Sequence, residues 1–309
     1  MTTRAVSPGG GWRWFRQAID LGRSNPKAIF GAVALLALIA VIALIPSAVQ
    51  LLLQHGLGLG PEAVMVVIGL TTLASIVVYP LLIGGLLRVI DAAENGRPTH
   101  ASAIFDTFHA GSDRARLIGF GLLMTAIYLG VFLLVVSLFG KDFMDWYWKL
   151  ITAAQAQQAG GAPMPPELLA LPEGFGQVMA LGSLFALFMG GVYAIGFGQV
   201  ALGGRSLGAA LGDGVGGTLK NVLPMLVLVV LAVAAMFALA LVVSLVGGIL
   251  MLFGSLVHPS LGLLLVMPVY IGMLLVVYVV MFGVMYHMWR DICAAPVEPP
   301  ALPGDRVEL

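Results

Sequence analysis

The stretch DLGRSNPK, Asp20 to Lys27, runs without a break into AIFGAVALLALIAVIALIPSAVQLLL, Ala28 to Leu53. A short polar segment ending in a base thus gives way to an apolar run. Crossing the hydrocarbon core of a bilayer takes about 20 apolar residues, so the run reads as a membrane span. The same handover recurs at Asp106 to Arg116 and at Asp213 to Lys220. Working outward from these points gives six spans, at 28–53, 63–90, 117–140, 177–202, 222–253 and 261–288. Pro46 and Pro80 are expected to kink the first two, because proline removes a donor and clashes with the preceding turn. The fifth is over-long and is expected to bend or break at Gly247–Gly248.

Composition agrees. Of 309 residues, 60% are hydrophobic and only 10% charged, with a mean hydropathy of +1.03, whereas soluble domains carry about 25% charged residues. The first apolar run is far longer than the 7–15 residues of a secretory leader, so it is expected to remain as an uncleaved span. Zero net charge gives no bulk electrostatic case for nucleic-acid binding. A single cysteine, Cys293, excludes an internal disulfide framework and a multi-thiolate metal site.

Orientation follows from the bases beside the spans. Arg4, Arg13, Arg16, Arg23, Lys27, Arg88, Arg97, Arg114, Arg116, Arg205, Lys220, Arg290 and Arg306 fall on one side; only Lys141 and Lys149 fall on the other. That division of 13 against 2 places both termini in the cytoplasm of a bacterial inner membrane.

The three handovers suggest a threefold repeat over about 12–90, 101–202 and 206–288, within one polytopic domain spanning 1–293. The inward spans share the spacing Tyr-x4-Gly: Tyr79 to Gly84, Tyr193 to Gly198 and Tyr278 to Gly283, each followed by an arginine, Arg88, Arg205 or Arg290. These six tyrosines and glycines are candidates for a cavity wall or for helix contacts. Each unit would open with a cytoplasmic amphipathic helix lying at the membrane surface. Trp12, Trp14, Phe15 and Ile19 supply apolar contact in the first, Phe105 and Phe108 in the second. Asn25 and Pro26 are a plausible cap and first helical position for the span that follows. In the third unit Gly204, Gly208, Gly212 and Gly216 form either a flat helix stripe or a loop. A periplasmic insertion, 141–176, carries Trp146, Tyr147 and Trp148 at expected headgroup depth, then a flexible Gln/Ala/Gly/Pro stretch. Residues 294–309 read as a disordered tail.

The parts that catalysis or ion relay would need are missing. No Asp, Glu, Lys, Arg or His lies near the middle of a span, which argues against a proton relay or a carboxylate-lined channel. There is no His-Glu-x-x-His. Ser255 and His258 lack an orienting acid and read as turn residues. Gly212 to Gly217 matches Gly-x-Gly-x-x-Gly in letters only, since no strand precedes it. No catalytic residue, cofactor or metal is therefore expected. The expected partners are the lipid bilayer and a membrane or envelope protein, with no nucleic acid.

The motifs Gly9-Gly10-Gly11-Trp12-Arg13-Trp14, Asn25-Pro26, Gly84-Gly85 to Arg88, Asn95-Gly96-Arg97-Pro98 and Ala103 to Phe108 resemble those of a family of uncharacterised proteobacterial inner-membrane proteins. They are also distantly similar to YciC-type proteins and to the membrane domain attached to some glycerophosphodiester phosphodiesterases. The resemblance implies a six-span inner-membrane fold and transfers no functional residue; no phosphodiesterase catalytic domain is present. The fold expected is all-α, with three hairpins each preceded by a surface helix. The function expected is non-catalytic organisation of lipid or partner proteins. The alternative is a transporter or channel for a small uncharged or amphipathic solute.

Overall fold

A computed structural model describes residues 3–23, 25–56, 61–109, 113–140, 142–158 and 163–293, with side chains outside 42–65, 67–68, 155 and 259. The tail expected at 294–309 lies outside the described residues, as does the side chain of Pro46. Among the described residues every regular element is helical: α1 (Gly10–Asp20), α2 (Pro26–Gly56), α3 (Pro61–Glu94), α4 (Arg114–Phe139), α5 (Phe143–Gln158), α6 (Phe175–Ala201), α7 (Leu207–Lys220), α8 (Val222–Ser255) and α9 (Pro259–Cys293), with short 3₁₀ segments at Leu21–Arg23, Ala101–Phe108 and Pro166–Leu169. Five of these are long and apolar enough to cross a membrane, and α1 with α2 forms a bent pair, at 103°, that would make a sixth.

Local chemistry explains several boundaries. Asn25 caps α2 as expected: its Oδ1 accepts from the amide of Ala28 at 3.2 Å, and Pro26 occupies the first helical position, where no amide is needed. Gly96, with φ +65°, ends the long α3, as a left-handed residue after a helix commonly does. The expected break at Gly247–Gly248 is absent, because α8 runs unbroken from Val222 to Ser255. Apolar surroundings give the backbone no competing partner, so a glycine pair keeps its helical hydrogen bonds. Pro80 is likewise held inside a continuous α3, its ring filling the space left by Gly121 of α4.

Two pairs of long helices, α4 with α6 and α8 with α9, pack antiparallel. Phe120 meets Gly196, Tyr128 meets Phe185 and Phe139 meets Gly174 along α4 and α6. Gly254 meets Gly262 and Gly247 meets Val266 along α8 and α9. The core formed among the pairs is one-ended. It takes Ala28 to Leu36 of α2, Leu81 to Ala93 of α3, Leu117 to Met124 of α4, Met189 to Ala201 of α6, Ala210, Met225 and Val279 to Cys293 of α9. Each of these stretches lies at the end of its helix nearest Arg88, Arg205 and Arg290, here the basic end. Toward the far end, Leu129, Leu133 and Leu138 of α4, Phe237, Leu245 and Leu252 of α8 and Leu264 and Met267 of α9 are largely exposed.

Small residues make the basic end tight. A Cβ on Gly11 would fall 2.2 Å from the carbonyl oxygen of Pro224, so α1 lies directly on the backbone of α8. One on Gly85 would fall 2.0 Å from the carbonyl oxygen of Ile104, which wedges the 3₁₀ segment Ala101–Phe108 onto α3. The hydroxyl of Thr107 donates to the Leu81 carbonyl across the same contact. α7 is a helix rather than a loop, yet its close contacts come from Gly214, against Val192, and Gly217, against Ile195. Gly204, Gly208 and Gly212 have no neighbour within 4 Å among the described residues. The stripe read from four-residue spacing is therefore not the packed face; helical geometry puts Gly214 and Gly217 on the other side.

Candidate functional site, an apolar cleft beside a polar collar

The tyrosines and glycines of the three inward helices divide their roles. All three glycines are contact points: a Cβ on Gly84 would lie 2.7 Å from the Leu117 methyls, on Gly198 2.3 Å from Trp289 Cγ, and on Gly283 3.0 Å from the Ala18 backbone. The three tyrosines are half-buried one turn farther from the basic end, where the core gives out. Tyr79 and Tyr278 lie within electrostatic reach of each other, and Tyr193 lies near Tyr128 and packs on Phe197 with ring centroids 4.6 Å apart.

Of the three, Tyr193 lines a cavity. This cleft of about 430 Å³ is bounded by α6 (Ala186, Leu187, Gly190, Gly191, Tyr193, Ala194), α8 (Met225, Leu228, Val229) and α9 (Met281, Phe282, Val284, Met285, Met288), with Ile83 of α3 beside them. Ile83 and Phe282 stand one turn after Tyr79 and Tyr278, so the cleft sits just inside the tyrosine level. Its volume is within the 300–1,000 Å³ of small-molecule sites. No charged side chain lines it. Four of its wall residues are methionines, whose flexible thioethers adapt to irregular apolar guests. Gly190 leaves its part of the wall open, since a Cβ there would have nothing within 4 Å among the described residues. Gly191 is covered: a Cβ there would lie 2.7 Å from Thr218 Oγ1 and 2.9 Å from Met225 Sδ. The Thr218 hydroxyl, on a residue only 1% exposed, has no hydrogen-bond partner among the described residues.

Around the basic end, four aspartates each gather donors from other elements. Asp291 accepts from Trp14 Nε1 at 2.9 Å and pairs with Arg13 at 2.7 Å. Asp113 pairs with Arg88 at 2.9 Å and with Arg116, while Arg88 Nε donates to the terminal Ala201 carbonyl of α6 at 3.1 Å. Asp213 accepts from Gln199 at 2.6 Å and pairs with Arg205, and Trp289 donates to Gln199. Asp91 accepts from Tyr286 at 3.0 Å and pairs with Arg97. Glu94 lies 3.7 Å from Arg290 and 3.9 Å from His287. Asn221 ties the chain start to this collar, accepting from the Val6 amide at 2.7 Å and donating to the Arg4 carbonyl at 3.0 Å. Among the described residues no group of three His, Cys, Asp or Glu is placed to hold a metal.

The expected surface residues divide between outside and inside. Trp12 is 53% exposed and Ile19 57% exposed, with Arg16 beside them on one face of α1, and Phe15 is half-buried. Trp14 is fully buried, against its expected surface position. Its indole is neutralised as a polar group by Asp291, so it packs among α1, α8 and α9 at no hydrogen-bonding cost. Phe105 and Phe108 are half-buried against the core with their rings 6.0 Å apart, held inward by Gly85 and Gly31. In the insertion, α5 extends the aromatic segment through Gln158, so the first part of the stretch expected to be flexible is helical. Trp148 is 60% exposed, whereas Trp146 is half-buried and donates to the Leu168 carbonyl at 3.1 Å. Ser255 and His258 bond to local backbone at the α8–α9 turn: Ser255 donates to the Leu252 carbonyl at 2.9 Å and His258 Nδ1 accepts from the Ser260 amide at 3.2 Å.

The cleft and the four aspartates were not singled out by sequence. A signal for the first was present: Met281, Met285 and Met288 fall on one helical face. No protein-family model matches the chain, and neither a curated protein nor a solved structure matches it.

Proposed function

We propose that this chain is a non-catalytic, six-span protein of the bacterial inner membrane that organises lipid, and through it partner proteins, at the cytoplasmic leaflet. The observation that carries this reading is the one-ended core. Packing, ion pairs, α1, α7 and the segment Ala101–Phe108 gather where the bases lie, and the far halves of α4, α8 and α9 are left to the bilayer. In this reading the basic end is cytoplasmic, because bases flank cytoplasmic span ends. The three hairpins spread toward the other leaflet, and α1 lies near the headgroups with Trp12, Arg16 and Ile19 outward. Net packing among spans is not driven by burial from lipid, so a fold consolidated at one leaflet leaves surface elsewhere for lipid to fill. The six-span plan of the family it resembles fits this reading.

Native mass spectrometry from mild detergent, with pull-down in parallel, tests the proposal. Lipid or a membrane partner is expected to be retained above control membrane proteins of similar span number. Retention at the control level for both would refute it. A second reading, passage of a small uncharged or amphipathic solute, draws on the cleft with Tyr193 on its wall. Solute flux into proteoliposomes that is abolished by Gly190→Leu would favour it.

A further inference from the structure

We infer that the methionine-lined cleft between α6, α8 and α9 is a binding site for one acyl chain of an ester-linked glycerophospholipid, whose ester carbonyl accepts a hydrogen bond from Thr218. The inference rests on the proposed lipid-organising role and names the site and the lipid chemistry within it. Three observations converge. The cleft is concave, of about 430 Å³, and walled by apolar side chains of four helices. An acyl chain is the apolar molecule that surrounds such helices in a bilayer, and Gly190 leaves the wall open to it.

The second observation is polar. The Thr218 hydroxyl, behind the cleft wall rather than among its lining residues, is buried with no hydrogen-bond partner among the described residues, an arrangement costly enough to call for a ligand or water. It lies over Gly191 beside the Met225 thioether, both of them cleft-wall residues. Rotation of the flexible Met225 side chain would bring a guest oxygen within reach of that donor. Third, Thr218 stands two residues before Lys220, which ends α7; in the proposed orientation this is the basic end, where headgroups and the ester carbonyls beneath them would meet the protein.

The test uses the full chain in vesicles of phosphatidylglycerol with a mid-chain diazirine, irradiated and mapped by mass spectrometry. Adducts are expected on 186–194 and 281–288 in preference to the more exposed 230–252. Gly190→Leu should lower them at least about fivefold, equivalent to ~1 kcal/mol of packing. Gly182→Leu, on the same helix and equally open, should leave them unchanged. An ester-linked competitor should displace the probe several-fold better than its ether-linked analogue, and Thr218→Val should erase that difference. Adducts spread in proportion to exposure, or unaffected by Gly190→Leu, would overturn the cleft assignment. Equal ester and ether competition in the wild type would overturn the role of Thr218. Lipid retention by native mass spectrometry, measured on the same variants, reads the broader proposal separately: it persists if only the cleft assignment fails.

Discussion

Replacing Gly198 by alanine adds one methyl at the crossing of α6 and α9, and the structure says what that methyl meets. It would lie 2.3 Å from Trp289 Cγ, 2.4 Å from Cδ1 and 2.7 Å from Trp289 Cβ. The last distance decides the outcome, because Cβ does not move when the indole rotates about χ1. Relief requires the helices to part by about 0.7 Å, from 2.7 Å to the 3.4 Å at which ordinary contact begins. Parting them also stretches the 3.3 Å bond from Trp289 Nε1 to Gln199, itself bonded to Asp213. Overpacking costs roughly 1–3 kcal/mol and a weakened hydrogen bond about 1, while alanine in a helix returns up to ~1. A net loss of about 1–3 kcal/mol is expected. Thermal unfolding in mild detergent, followed by tryptophan fluorescence, reads it. Gly130→Ala is the control, since nothing lies within 4 Å of the added methyl there, and it should be neutral or slightly stabilising. A Gly198→Ala protein as stable as the wild type would refute the reading of this glycine as a contact residue.

Further outcomes follow from other contacts. Gly85→Ala should cost more than Gly84→Ala in the same melts, because its methyl meets the Ile104 backbone at 2.0 Å while that of Gly84 meets movable Leu117 methyls; the reverse order would count against the wedge. Asp291→Ala leaves the buried Trp14 indole without its acceptor and should cost about 1–3 kcal/mol, with limited proteolysis reporting earlier cleavage near α1. Asn221→Ala removes the bonds to Val6 and Arg4, so hydrogen exchange over residues 4–6 should accelerate while the spans stay protected. Reporter fusions after Arg97 and after Asn221 should be active only inside the cell, and those within 141–176 only outside; any other pattern would invert the orientation drawn from the bases.

Much of the scaffold was legible because its causes are local. Apolar run length set the long helices to within about five residues, and Asn25-Pro26 announced the start of α2. What escaped was decided by tertiary neighbours. Trp14 and Trp12 look alike as letters, yet the acceptor that draws Trp14 inside, Asp291, lies 277 positions away. Gly247–Gly248 looks like a break, but nothing in an apolar environment competes for those backbone groups. The glycine spacing in α7 left helix and loop open, and its stripe was the wrong face, because the partner α6 meets Gly214 and Gly217. At the candidate site, the Tyr-x4-Gly pattern named three glycines that are close helix contacts and one tyrosine, Tyr193, on the cleft wall. The cleft walls come from four helices; Met281, Met285 and Met288 share a face of α9, but that α6 and α8 meet this face is settled by tertiary packing.

The pairing of Trp14 with Asp291 also bears on how the chain is made. A ribosome adds roughly 5–20 residues per second, so α1 waits on the order of 15–55 s before the residue that receives its indole has emerged. Until then the Trp14 indole lacks the acceptor it has in the folded chain, so the seating of α1, begun against α8, is completed only with the last helix.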